Sequence, residues 1–266
     1  MFLFLQNPLS FVSMLLCVIG LLCIIGGFIF YMLCTSFIRK ELDKQLRYLT
    51  SDYEIAFIDP LEFSWLDLKF YDTMESELAT LGFSKIFDYE NLSFSKTFPE
   101  LRNFVRLMQN HDKSIYAGIM HSRYVKSGNT SEESKNDFFV QIVTEFSDET
   151  FLFSFGEKSR ALKCKSIDGI DLLYFPLDTP IEKILAEHKK AVQQKCLENG
   201  VEVKLLSTQN DIYESTKRAF DLRKIDRLKK GGFTLEEYQA ACNNFIAKMY
   251  CKQAKRIFRE YMLNES

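Results

Sequence analysis

The sequence predicts an α+β protein: a single N-terminal transmembrane helix followed by a mainly antiparallel sheet with flanking helices. Three observations predict it. No Asp, Glu, Lys, Arg or His occurs before Arg39. Two pairs of apolar runs, 102–124 and 138–155, are each interrupted by a short polar turn, the pattern of hairpins. Helix-start signals, Thr-Pro-x-Glu at 179–182 and Thr-x-x-Glu at 234–237, precede long segments of helical period.

As a helix, the run from Leu9 to Ile38 is about 45 Å long at 1.5 Å per residue, more than the roughly 30 Å of a hydrocarbon core. A cleaved secretory signal has a positive start, a shorter apolar core and a small-residue cleavage site. Here the start carries no charged side chain and the exit reads Tyr-Met-Leu-Cys-Thr-Ser-Phe-Ile, so an uncleaved span over 9–38 is expected. Arg39, Lys40, Lys44 and Arg47 follow at once. The positive-inside bias then puts the remainder on the cytoplasmic side of the cell membrane. Ser13, Gly20, Gly27 and Cys34 recur every seven residues and form a candidate helix–helix seam for a homo-oligomer, although no G-x-x-x-G is present.

Leu42, Leu46 and Leu49 carry the helical spacing into a juxtamembrane stalk over 39–52. An α+β cytoplasmic domain is expected over 53–210, and a C-terminal helical pair, possibly part of the same domain, over 211–266. Within the domain, Tyr53–Asp59 alternates as a strand, and 65–81 reads as a helix stopped by Gly82. Strands over 102–109 and 114–124 flank the turn Asn110–Lys113. The polar stretch 126–137 reads as an exposed loop. Strands over 138–146 and 151–155 then flank Ser147–Thr150. A strand over 170–175 precedes a helix capped by Thr179, with Pro180 at its first position and Glu182 at its third. That helix ends at Gly200, and a strand is expected over 201–206. Helices over 211–230 and 235–263 follow, divided by Gly231-Gly232 and with a second capping box at Thr234 and Glu237.

Composition narrows the function classes without naming one. The net charge of −2 lacks the basic footprint of a nucleic-acid-binding protein. Cys164, Cys196, Cys242 and Cys251 have neither C-x-x-C spacing nor a nearby His pattern, so reduced thiols are expected and no metal or cofactor is implied. Phosphate-loop, dinucleotide, serine-hydrolase and zinc-protease motifs are absent. Among the three histidines, His111 falls in a turn and His188 reads as a surface or partly packed helical residue. His121 continues the face of Ile115, Ala117 and Ile119. With Phe138, Phe151 and Phe153 it makes a candidate pocket, in a chain that holds 25 Phe. Asp72 and Glu75, at i,i+3 among Asp67 and Glu77, read as a solvated helix face before a metal site.

The last helix carries a basic row, Lys248, Lys252, Lys255, Arg256 and Arg259, a candidate contact for anionic lipid or a partner. The expected function is a membrane-anchored, non-enzymatic binding or scaffold domain. The alternative is a tethered enzyme on a lipid or small cytoplasmic substrate, using His121 or His188 with a carboxylate.

Overall fold

In the computed structural model, which describes residues 8–124, 136–157, 166–176 and 178–265, the apolar run and the charged stretch behind it form one helix, α1 (Pro8–Thr50). Its single Pro stands at the first position, where a missing N–H costs nothing. Thr35 Oγ1 donates to the Tyr31 carbonyl at 2.8 Å, so the hydroxyl is satisfied within the helix. From Val18 onward α1 is long and apolar enough to cross a membrane, and none of its most apolar window is buried. Its C-terminal end differs, because Ile38 and Leu42 are buried.

Seven strands follow one another across a single sheet in chain order: β1 (Ile55–Phe57), β2 (Phe83–Asn91), β3 (Leu101–Asn110), β4 (Tyr116–Tyr124), β5 (Asn136–Glu145), β6 (Phe151–Glu157) and β7 (Ile170–Phe175). All neighbours are antiparallel except β6 and β7, which are parallel. Both expected hairpins are present. Their turns use left-handed Lys113 (φ 62°) and Glu149 (φ 63°). Asp112 and Asp148 each accept from a backbone N–H two residues on, at 3.1 Å, as Asx turns do.

Helices cover both faces of the sheet. On one face lie α2 (Leu68–Thr80) and α4 (Ile181–Asn199). Tyr71, Leu78, Ile181, Ile184 and Leu185 pack there on Phe104, Met108, Ala117, Ile119 and Ile142. The other face receives α5 (Gln209–Lys230), whose Ile212 and Ala219 join Val105, Tyr116, Val143, Phe151 and Phe153. A short α3 (Leu92–Thr97) follows β2.

A third cluster lies off the sheet. There α6 (Leu235–Ala241) and α7 (Asn244–Glu265) pack on the C-terminal end of α1, with Ile38 and Leu42 against Tyr238, Ala247, Cys251, Ala254, Ile257 and Phe258. Ala247 and Ala254 have no exposed surface, and such small side chains allow two helices to approach closely. Gly232 serves the same close approach: it sits at φ +96°, and a Cβ there would come within 3.2 Å of the Phe258 ring. Farther along α1, Tyr48 meets Phe94, Phe98 and Phe220 at ring-centroid distances of 5.7, 6.0 and 5.4 Å.

Several elements differ from expectation. No strand forms over 201–206; Val203 makes only an isolated bridge to Phe146. Thr179 caps nothing: Pro180 is the N-cap of α4 and makes no side-chain cap bond. The last helix is broken at Cys242–Asn243 into α6 and α7, although Thr234 and Glu237 form the expected capping box. The first strand is shorter, Ile55–Phe57. The strand β2 was unanticipated because its register shifts between Lys85 and Phe87, which breaks the two-residue period. Its Asp88 and Glu90 are buried, against the usual exposure of charged side chains. The segment expected as an exposed loop, 126–137, lies outside the described residues except for Asn136 and Asp137, which open β5.

Candidate functional site

Two acidic residues of α2, Asp72 and Glu75, face a cation. Asp67 caps the helix by accepting from Phe70 N–H at 3.1 Å. Glu75 accepts from Arg106 Nη1 at 2.7 Å, Asp72 lies 4.0 Å from the same nitrogen, and Asp88 binds Arg106 Nε at 3.0 Å. Arg106 projects from β3 with almost no exposure and lies over the Tyr71 ring at 5.4 Å. The carboxylates thus compensate a buried guanidinium, which buried charge requires. Among the described residues, no group of three or more His, Cys, Asp or Glu is placed to hold a metal.

His121 is fully buried on β4. Opposite it across the β4–β5 ladder stands Phe138, whose ring stacks on the imidazole at 4.0 Å between centroids. Trp65 meets it edge-on at 4.9 Å. Phe151 and Phe153 point to the other side of the sheet, into the core under α5, where the Arg223 guanidinium lies over Phe153 at 4.5 Å. The sheet therefore divides the four residues grouped from sequence into two pairs. Beside Phe138 a cleft of about 290 Å³ opens between α2 and α4, lined by Phe70, Met74, Gly156 and Ile184, with Asp178 at its edge.

His188 is fully buried, not a surface residue. Its Nε2 lies 2.9 Å from Thr144 Oγ1 and its Nδ1 2.8 Å from Ser154 Oγ, so both ring nitrogens engage hydroxyls on neighbouring strands. Burial pushes its pKa down to about 3, which keeps it neutral over the physiological range. It joins α4 to the sheet, and both of these partners are hydroxyls. Thr144 and Ser154 occupy otherwise apolar core positions, and this pairing of hydroxyl to imidazole had no signal in local sequence.

Glu145, at the end of β5, has no exposed side-chain surface. Arg218 of α5 binds both of its oxygens at 2.9 Å, and Lys204 binds one at 2.9 Å. Burial alone would raise its carboxyl. The hydrogen bonds from Arg218, Ser215 and Lys204 prevail and hold it below the ordinary carboxylate value.

An exposed charged row runs along α7. Lys248, Lys252, Lys255, Arg256 and Arg259 are all exposed, as are Arg39, Lys40 and Arg47 on α1. Arg256 Nε donates to Glu260 at 2.8 Å. The opposite side of α7 packs on α1, so the basic row and the end of the apolar run belong to one packed corner. At that corner an apolar cleft of about 810 Å³ is bounded by Phe30, Cys34 and Phe37 of α1 and by Phe245, Ile246 and Met249 of α7. Of the candidate seam, Gly20 and Gly27 have nothing within 4 Å of an added Cβ, Cys34 lines this cleft, and the side chain of Ser13 lies outside the described residues. Sequence reading missed the corner itself. Its signal was present in Ile38, Leu42, Leu46 and Leu49, one helical face too apolar for a solvated stalk.

No protein-family model, no curated protein and no solved structure matches the chain.

Proposed function

We propose that the chain is a single-span membrane protein whose domain, on the cytoplasmic side, works as a non-enzymatic binding or scaffold module held against an anionic leaflet. One observation carries the reading: Leu42, only a few residues past the apolar run, is completely buried in the domain's own core. The anchor and the domain therefore share one packed cluster, and no flexible tether separates them. A domain fused to its anchor presents the same surface to the bilayer in every copy, as a scaffold requires.

The exposed row Lys248, Lys252, Lys255, Arg256 and Arg259 supports the lipid contact, since cations near an anionic surface contribute about 1 kcal/mol each. Close attachment keeps their effective concentration at the leaflet high. Contact among copies along Gly20 and Gly27 is part of the same proposal.

Alkaline carbonate should leave the full-length chain in the membrane pellet, and a C-terminal phosphatase fusion should be inactive. Release into the supernatant removes the span, and an active phosphatase reverses its orientation. In nanodiscs, replacing phosphatidylcholine with phosphatidylserine should slow amide exchange along α7. Lys248, Lys252 and Lys255 changed together to Gln should abolish that slowing; equal exchange in both lipids removes the headgroup contact.

A further inference from the structure

The apolar cleft at the α1–α7 corner is a surface that the domain's own packing leaves open. Phe245 is 62% exposed and Phe30 is 64% exposed, although large aromatic side chains ordinarily bury. Helix geometry sets the depth of this cleft. Arg39 and Lys40, both exposed, mark where α1 leaves the apolar layer. Phe30 precedes Arg39 by nine residues, which is about 13 Å farther into that layer at 1.5 Å per residue. With α1 read as a span, on which this inference rests, the α7 residues sharing the cleft with Phe30 and Cys34 lie at the depth of the acyl chains.

We infer that the α6–α7 corner is a second membrane-insertion element: Phe245, Ile246 and Met249 seat in the acyl layer of the leaflet through which α1 emerges, and acyl chains of that leaflet fill the cleft. The occupant is lipid because one wall of the cleft is the apolar helix itself, continuous with the exposed apolar surface that runs from Leu16 to Phe37. The cleft also falls within the roughly 300–1,000 Å³ typical of small-molecule sites.

The chemistry at the start of α7 suits that position. Asn243 Oδ1 accepts from Ile246 N–H at 3.0 Å, satisfying a helix-end donor that has no water partner in lipid. Lys248 is exposed on the next turn, and its stem is long enough to return the ammonium to the headgroups while the carbons stay in the apolar zone. A domain fused to α1 still tilts with that helix. Insertion of the α7 end at a second point limits the tilt and sets the angle at which the basic row meets the leaflet.

The test places a reporter at the corner of the full-length protein in single-copy nanodiscs. The chain has one Trp, Trp65, which Trp65→Phe removes with an aromatic replacement. Phe245→Trp then reports from the cleft. A residue inserted about 5–10 Å past the headgroup boundary should lose about half of its emission to lipids brominated in the shallow acyl region and little to aqueous acrylamide. Quenching by acrylamide alone overturns the inference, and so does resistance to both quenchers, which would mean that protein covers the site.

Ile246→Trp provides a second reporter, read as a difference from the protein that retains Trp65 should the double variant fail to fold. Carbonate extraction of native membranes carrying the same variants separates the two claims. A chain that stays in the pellet while acrylamide quenches Trp at 245 retains its span and loses the second element. A chain that is extracted loses the span itself.

Discussion

The neutral, buried imidazole of His188 makes the stability of this protein depend on pH in a calculable way. In the unfolded chain the ring takes up a proton near its ordinary value of 6.5, whereas burial lowers the native value to about 3. Between those values the unfolded state holds one more proton than the native state, so falling pH favours unfolding. The slope is about 1.4 kcal/mol per pH unit, and lowering pH from 7.5 to 5 should cost about 2 kcal/mol from this residue alone. The perturbation that isolates it is His188→Gln, which removes the titration and keeps one amide able to bond to Thr144 or Ser154. At pH 7.5 the variant should already be less stable by about 1–3 kcal/mol, the cost of leaving a buried polar partner poorly satisfied. Urea unfolding of both proteins at pH 7.5 and 5 cancels every other titrating group. Wild type should lose about 2 kcal/mol more than the variant over that interval. Equal losses would refute the reasoning, because they would mean that the native ring accepts a proton as easily as the unfolded one.

Three further outcomes follow from packing and charge. Leu42→Ala should destabilise by about 2–5 kcal/mol, the range for a fully buried leucine, seen as a fall in urea midpoint; a change within error would mean that the C-terminal end of α1 is not core. Gly156→Ala should cost about 1–3 kcal/mol by overpacking, since its Cβ would stand 2.8 Å from Ile184 Cδ1. Ile184→Val, which deletes that carbon, should recover part of the loss in the double variant, whereas simple additivity would contradict the contact. Glu145→Gln should cost about 2 kcal/mol at neutral pH, less than a fully buried pair because Arg218 and Lys204 are partly solvated. The native Glu145 carboxyl is held below its unfolded value, so its stabilisation is complete above about pH 4.5 and fades as pH falls through the native pKa. The wild type should therefore lose its advantage over the variant in acid; an advantage that persists there would contradict the assignment.

The sequence by itself determined the elements whose signals are local. The uncharged run ends at Arg39 whatever surrounds it, because charge is a property of each residue on its own, although the helix itself continues to Thr50. The hairpins at Asn110–Lys113 and Ser147–Thr150 are set by alternation and by Asp side chains that bond to a backbone N–H two residues away. Thr234 and Glu237 cap α6 through a three-residue spacing that needs no tertiary partner. What only the tertiary structure decided are the features made by residues distant in sequence. Thr179 carries the same spacing to Glu182, yet the helix starts after Pro180 and leaves that cap unused. Phe138 and Phe153 alternate equally well, and only the pairing of β5 with β6 assigns them to opposite faces of the sheet. Asp88, Glu90 and Glu145 are of a residue type that ordinarily stays in solvent, and their burial depends on Arg106, Arg102 and Arg218 across the fold. His188 becomes a core residue because Thr144 and Ser154, on two other elements, supply both of its hydrogen bonds. The α1–α7 corner belongs to the same class: residues 38–49 and 247–258 meet there although the whole sheet lies between them in sequence. Local propensity and capping act over a few residues and can be read in order, whereas burial is a property of which distant surfaces meet.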